Sequence, residues 1–439
     1  MWNDIETVED LVNFKVVADA GAQLIREAGG QAISIGVSGN WGVGKSSLVK
    51  MIGQSLQEKS GQGDGQEFVF LDFNAWLYQG YDDARGALLQ SVGDELLKQA
   101  EQRKTSVDKV KSFLKRINWF RVGALGAPVI AGALMGGAVG GPVGAVIGAV
   151  GGAFKNGNTP NAEDWDSIKA AYDSVNPQLK TILRDEEIRS LPKEISELRK
   201  LFSDILEELE ITLVVLVDDL DRCLPETAIS TLEAMRLLLF LPRTAFIIAA
   251  DEQMIRNAVR SHFGDGYIDN DLVTSYFDKL IQVPLRVPRL GVDEIKAYMI
   301  LLFADLAKRQ GRISENSCNL AKKKILEALK KSWKNPLSRD VIVNAYGDEA
   351  SQIDIQIDMA NQLAPLMVSA RQIAGNPRLI KRFLNDLMIR RTIAEAQGMS
   401  LKIDALVKVQ LFERCASSLY PSSMRMSYNS SRLGFVSDI

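Results

Sequence analysis

Apolar positions recur at helical spacing through Val12, Val16, Val17, Ala20, Leu24 and Ile25, which predicts a helix within residues 1–31. The pattern then changes to Ala32-Ile33-Ser34-Ile35-Gly36-Val37-Ser38, a short apolar run ahead of glycines that reads as a buried strand. Helical spacing returns from Lys45 to about Gln57, and after a Gly/Gln-rich loop at 60–66 a second strand is expected over 68–73. Residues 84–118 read as helical and turn basic towards their end, and charged helical sequence runs again over 162–210. Leu213–Val217 is the most apolar short run and is bounded by acids, which predicts a central strand. A helix over 228–240, a strand over 245–250 and a fifth strand over 280–285 follow, with Pro284 placed better at a strand end than at a strand centre. Beyond Gly291 the spacing is almost all helical, with helices expected over 292–310, 314–332, 350–372, 377–396 and 401–418. Alternating strands and helices followed by helices alone predict an α/β fold with an open sheet and a helical C-terminal region.

The expected organisation is an α/β domain over 1–290, a helical lid over 291–415 and a poorly ordered tail over 416–439 that carries eight Ser. Within the first domain, 119–155 breaks the pattern. Its 33-residue centre, 122–154, has no charge, eleven glycines and eight alanines. Glycine recurs every fourth residue from Gly132 to Gly152, spacing that suits closely packed helices, and the approach from Lys98 to Arg121 carries eight basic against two acidic residues. Thirty-three residues are fewer than the roughly 40 that two full bilayer crossings and a turn require. A re-entrant hairpin bent near Pro142 fits that length and predicts contact with the inner face of a cell membrane from the cytoplasmic side.

Composition narrows the chemistry. The 439 residues carry a net charge of −3, so no whole-chain field points to nucleic acid as a primary ligand. His262 is the single histidine, which excludes zinc sites built on two imidazoles. Cys223, Cys318 and Cys415 are widely spaced, so neither a disulfide framework nor a zinc ribbon is expected and a reducing compartment fits. The acidic opening Met1–Glu6 lacks the apolar core of a signal peptide.

One segment has chemistry written into its spacing. Gly39-Asn40-Trp41-Gly42-Val43-Gly44-Lys45-Ser46 fits G-x-x-x-x-G-K-[ST] between an expected strand and an expected helix. Glycines let backbone N–H groups turn around phosphate oxygens, and the helix N-terminus adds its positive dipole end. Gly39 to Ser47 is therefore the candidate nucleotide cradle, with Lys45 as the point charge for the outer phosphates and Ser46 as a hydroxyl ligand for Mg²⁺. Such a loop needs a second strand that ends in acid, and Leu213–Val217 runs into Asp218-Asp219. Asp218 is placed to hold the metal and Asp219 to polarise the attacking water. Asp251, which ends the 245–250 strand, suits either a phosphate-sensing group or a helix cap. Arg378, in Gly375-Asn376-Pro377-Arg378, is the candidate lid arginine, set against the plainer reading of a surface residue behind a first-turn proline.

These segments resemble the KAP family of P-loop NTPases, within the larger STAND and AAA-like ATPase group. The resemblance rests on Trp2-Asn3-Asp4-Ile5-Glu6-Thr7, Asn13-Phe14, the phosphate loop with its internal Trp41, and Phe73-Asn74-Ala75-Trp76. It continues through Asp218-Asp219-Leu220-Asp221-Arg222-Cys223, Leu241-Pro242-Arg243, Asp278–Pro284 and Asn376–Asn385. It implies a P-loop parallel sheet of strand order 5-1-4-3-2, ATP and Mg²⁺ as cofactors, and frequently a membrane segment where 122–154 stands. The opening looks most like bacterial members such as the ATPase subunit of Qat anti-phage systems. By analogy with related ATPases a homo-oligomer is expected, with Arg222 or Arg243 offered to a neighbouring subunit, and Arg222 set equally against a structural role as partner of Asp221.

Three functions follow as expectations. The first is a regulatory ATPase switch read by membrane or protein partners. The second is a nucleic-acid motor, kept in view by the clusters Lys322-Lys323-Lys324 and Lys330-Lys331-Ser332-Trp333-Lys334 but opposed by the net charge. The third is a scaffold that binds nucleotide without turnover, which the intact Asp218-Asp219 pair opposes.

Overall fold

The computed structural model describes residues 1–58, 67–78, 84–119, 191–263, 280–370, 372–399 and 403–415. The glycine-rich insertion at 122–154, the Asp278-Lys279 pair and the tail at 416–439 lie outside the described residues. The chain divides into two compact units, one made of Gly21–Ser38 and Ser55–Leu285, the other of Met1–Ala20, Gly39–Gln54 and Arg286–Ile439. The phosphate loop thus groups with the first residues of the chain and with the C-terminal helices, while the strand that feeds it groups with the sheet.

The sheet has five strands: β1 (Ile33–Ser38), β2 (Glu67–Asn74), β3 (Ile211–Asp218), β4 (Thr244–Ala250) and β5 (Val283–Arg286). Their order is β2-β3-β4-β1-β5, the expected 5-1-4-3-2 read from the other edge. The β1–β4, β4–β3 and β3–β2 pairs are parallel. Every residue of β4 is buried, as is every residue of β3 except Asp218, the signature of strands covered on both faces. β5 begins later than expected and takes Pro284 as its second residue. Proline has no N–H to donate, and at the edge of the sheet none is needed there.

Helices α3 (Ala84–Arg103), α4 (Val107–Trp119) and α5 (Leu191–Glu208) supply the cover on the β2–β3 side. Phe113 of α4 and Phe202 of α5 are fully buried and stack with ring centroids 5.5 Å apart. After β3, α6 (Pro225–Ala234) ends in a π-helical turn, Met235–Leu239, where an unbroken helix over 228–240 is expected. The apolar spacing runs on through that turn, so periodicity alone does not reveal the change. α7 (Glu252–Phe263) follows β4.

In the other unit the long helix α8 (Val292–Arg309) is buried along ten of its positions, from Ile295 to Ala307. α9 (Glu315–Leu329), α10 (Arg339–Tyr346), α11 (Asp354–Ser369), α12 (Pro377–Ala396) and α13 (Ile403–Cys415) complete it. α10 is absent from the periodicity reading. It has only eight residues, and its start is signalled by Ser338, whose hydroxyl accepts the Val341 N–H at 3.4 Å. The chain's opening residues belong here too. The Trp2 N–H donates to Asn385 Oδ1 and Asn385 Nδ2 donates back to the Trp2 carbonyl, both at 2.9 Å, while Trp2 Nε1 donates to the Leu302 carbonyl at 3.0 Å.

Candidate functional site

The phosphate loop occupies Gly39–Gly44, between the end of β1 and the start of α2 (Lys45–Glu58). Gly42 and Gly44 hold φ at +84° and +104°, a region that disfavours any side chain, and both meet close neighbours. A Cβ on Gly42 would stand 2.9 Å from Arg378 Cβ, and one on Gly44 would stand 3.0 Å from Phe14 Cε2. The Lys45 side chain is folded into this loop, where its Nζ donates to the Gly39 carbonyl at 2.9 Å and to the Asn40 carbonyl at 3.5 Å. The residue is 8% exposed, so its amine sits at the N-terminus of α2 with backbone dipoles around it.

The opening residues of the chain and α12 brace the rim of that loop. The Thr7 N–H donates to Ser47 Oγ at 3.1 Å, and Glu6 pairs with Lys50 of α2 at 2.9 Å. Trp41 is half exposed, and the guanidinium carbons of Arg378 and Arg382 lie 4.4 and 5.4 Å from its ring centroid. The same two arginines reach Asp4, Arg378 Nε at 2.8 Å and Arg382 NH2 at 3.2 Å. The candidate lid arginine therefore stands beside the phosphate loop, held by a carboxylate and an indole. Lys381, one residue from Arg382, has its pKa lowered, chiefly by burial and also by Arg378, against the pull of Asp4.

The acidic strand end belongs to the sheet unit and is built locally. Val217 pairs with Ile248 and Ile248 with Gly36, so Asp218 stands one residue beyond that row, level with Val37 near the end of β1. Its Oδ1 accepts the Asp219 N–H at 2.8 Å. Asp219 adopts φ 57°, ψ 22°, a left-handed conformation that Asp tolerates better than most side chains. Asn74, which pairs with Asp218 across the sheet, donates its Nδ2 to Asp219 Oδ2 at 2.9 Å, and Arg222 Nε pairs with Asp219 Oδ1 at 3.0 Å. Arg222 in turn lies 5.6 Å from the Trp76 ring centroid. The carboxylate expected to polarise water is thus oriented by one neutral donor and one cation. Burial pushes the Cys223 thiol up to about 11, with Asp219 and Asp221 adding to the shift.

Asp251 takes the capping role among its two readings, since its Oδ1 accepts the Gln253 N–H at 2.9 Å at the start of α7. Its own N–H donates to Asp221 Oδ2 at 3.1 Å. Arg243, offered above to a neighbouring subunit, sits at φ 62° with its N–H on the Gly30 carbonyl at 2.7 Å. Three residues that the motif reading gives no role stand out: Asn74, Asp4 and Asn376. They stand in quoted segments without a role, because their partners lie on other strands or at the far end of the chain.

Ser46 brings a hydroxyl to the first turn of α2 and Asp218 ends β3 with a carboxylate, each by its chemistry a donor for a hard divalent ion. The positive-φ glycines and the buried amine of Lys45 suit a phosphate group.

A parallel sheet whose first strand opens through such a loop into a lysine-led helix has the build of a nucleotide-binding P-loop NTPase. The chain belongs to the KAP family, whose P-loop domain matches residues 14–394. An uncharacterized protein of Methanocaldococcus jannaschii is 26% identical over 186 residues, spanning 40% of this chain and 88% of that protein. Among solved structures, the Aeropyrum pernix ORC2 protein in its ADPNP-ADP complexes aligns with a TM-score of 0.30 and 15% identity, over 91% of this chain and 78% of that one. Its ADP form aligns with a TM-score of 0.34 and 11% identity, over 96% of this chain and 98% of that one.

Proposed function

We propose that this chain binds ATP with Mg²⁺, hydrolyses it, and uses the bound state as a regulatory switch read by partner proteins and a membrane surface. The observation that carries the reading is the Lys45 amine, drawn onto the Gly39 and Asn40 carbonyls inside a loop whose Gly42 and Gly44 require positive φ. Sheet order supports it as well: β1 and β3 run in the same direction, so Ser38, which leads into the loop, and Asp218 end at one edge of the sheet. Lys45 neutralises the outer phosphates, Ser46 and Asp218 supply oxygen ligands to the metal, and Asp219 orients water. Magnesium nucleotide, when bound, supplies a polarised terminal phosphorus open to in-line attack. Arg378, free to leave Asp4 for a stronger anion, is the lid's contribution.

The membrane part rests on the uncharged run at 122–154 and its basic approach, and a role in anti-phage defence rests on the resemblance of the opening segment to Qat ATPases. Among the described residues no helix is long and apolar enough to cross a membrane.

The test is ATP turnover by the full chain beside Lys45→Ala, with and without DNA and anionic vesicles. Wild-type turnover that Lys45→Ala lowers by about 10²-fold or more supports the reading. Equal rates overturn it, and stimulation by DNA alone would favour a nucleic-acid motor. Carbonate extraction of the full chain beside a 122–154 deletion tests the membrane part, which fails if both are fully extracted.

A further inference from the structure

The first turn of α12 meets the phosphate loop through the loop's backbone as well as through the Trp41 ring. Asn376 Nδ2 donates to the Trp41 carbonyl at 2.8 Å, and the Arg378 N–H donates to the Gly42 carbonyl at 3.4 Å. The same Asn376 caps its own helix, its Oδ1 accepting from the Arg378 N–H at 3.0 Å and the Leu379 N–H at 3.3 Å. One side chain therefore fastens the helix end and the loop at once, and it is 8% exposed.

Residue type and backbone both fit that double task. Asn carries an acceptor oxygen and a separate NH2 donor on one planar group. Asp caps a helix equally well but has no proton for the Trp41 carbonyl, and Ser caps it with a side chain too short to reach both. Asn376 is delivered by Gly375, at φ +71°, where a Cβ would lie 2.7 Å from the Leu290 carbonyl oxygen. On the loop side, a Cβ on Gly42 would stand 3.1 Å from Asn376 Oδ1. Glycine on both sides lets the two backbones come this close.

We infer that Asn376 is a positioning residue for phosphate binding. In a trans peptide the C=O and N–H point to opposite sides, so fixing the Trp41 carbonyl onto α12 turns the Gly42 N–H away from α12. Asn376 thereby sets the aim of the loop's N–H groups and makes nucleotide affinity depend on where the first turn of α12 stands. The inference rests on the reading that this loop takes a nucleoside triphosphate.

The test compares Asn376→Asp and Asn376→Ser in the full chain, both of which keep a capping oxygen. A fluorescent ATP analogue gives Kd, steady-state turnover gives KM and kcat, and thermal unfolding gives Tm. The expected result is a rise of about tenfold in Kd and KM in both variants, the effect of one lost buried hydrogen bond. At saturation kcat stays within about twofold, and Tm moves by no more than about 2 °C because the cap survives. Asn376→Ser carries no new charge, so an effect confined to Asn376→Asp would be repulsion of phosphate and would overturn the assignment. Unchanged Kd in both variants while Lys45→Ala loses binding overturns this inference alone. A Tm drop that tracks the loss of affinity would reduce Asn376 to a structural cap and overturn it too. Wild type that binds no nucleotide overturns the parent reading together with this one.

Discussion

The acidic strand end and the phosphate loop are held by opposite means. The acidic strand end is assembled from near neighbours: Asp218, Asp219, Arg222 and Cys223 lie within six residues, and Asn74 is brought in by strand pairing. The phosphate loop is braced by Thr7 and Asp4 from the start of the chain and by Asn376, Arg378 and Arg382 more than 330 positions further on. Sheet register guarantees the first arrangement wherever the sheet is folded. The second depends on segments that belong to no strand, so its geometry follows α12 and the opening residues of the chain. The proposed switch would use this division, with a fixed group to work on water and an adjustable group to grip phosphate.

The comparison breaks most sharply at Asp219. Asp219→Asn should keep nucleotide binding within about threefold and lower kcat by about 10²-fold or more, since it removes the carboxylate proposed to orient water while the phosphate loop is unchanged. Single-turnover and binding measurements on one preparation check it, and a matched loss of affinity would show that the strand end grips as well as orients.

Next in size is Gly42→Ala. A Cβ at φ +84° standing 2.9 Å from Arg378 Cβ should cost about 1–3 kcal/mol and loosen the loop. Denaturant unfolding gives the stability change, and nucleotide affinity should fall with it. A glycine-like result would mean that the rim is already loose.

Asp4→Asn is smaller. The two ion pairs it removes involve side chains 21–50% exposed, so the change in stability should be about 0.5 kcal/mol and should fade above roughly 0.5 M salt. Its interest is directional: an Arg378 relieved of Asp4 should meet phosphate more readily, so ATP affinity should rise slightly at low salt.

The smallest effect is chemical. With its thiol pushed up to about 11, Cys223 stays protonated at neutral pH and should alkylate slowly, accelerating only as pH rises towards that value. Mass spectrometry after timed iodoacetamide treatment reads this directly. Unfolding in urea should restore the ordinary thiol rate.

The contrast also explains what the amino-acid sequence made legible. Gly39–Ser46 and Leu213–Asp219 are contiguous, and their chemistry follows from spacing alone. The five strands fall close to their expected places because buried parallel strands are continuous apolar runs. Strand order came only with the family resemblance, since periodicity carries no pairing information. Asn74, Asp4 and Asn376 were silent because each acts on a partner brought near by the fold. The eight-residue α10 and the π-helical turn at Met235–Leu239 escaped for a different reason: one is too short to show a period, and the other continues the apolar spacing of the helix before it.

The mutual hydrogen bonds of Trp2 and Asn385 also bear on the chain's birth at the ribosome. Their separation of 383 residues means that Trp2 must wait for that length of chain to be made before it meets its partner. At roughly 5–20 residues per second that delay is about 20–80 s. The strands β1 to β4 are complete by Ala250 and have their pairing partners well before then. A nascent chain therefore acquires the pairing of β1 to β4 early and the contacts that brace the phosphate loop last.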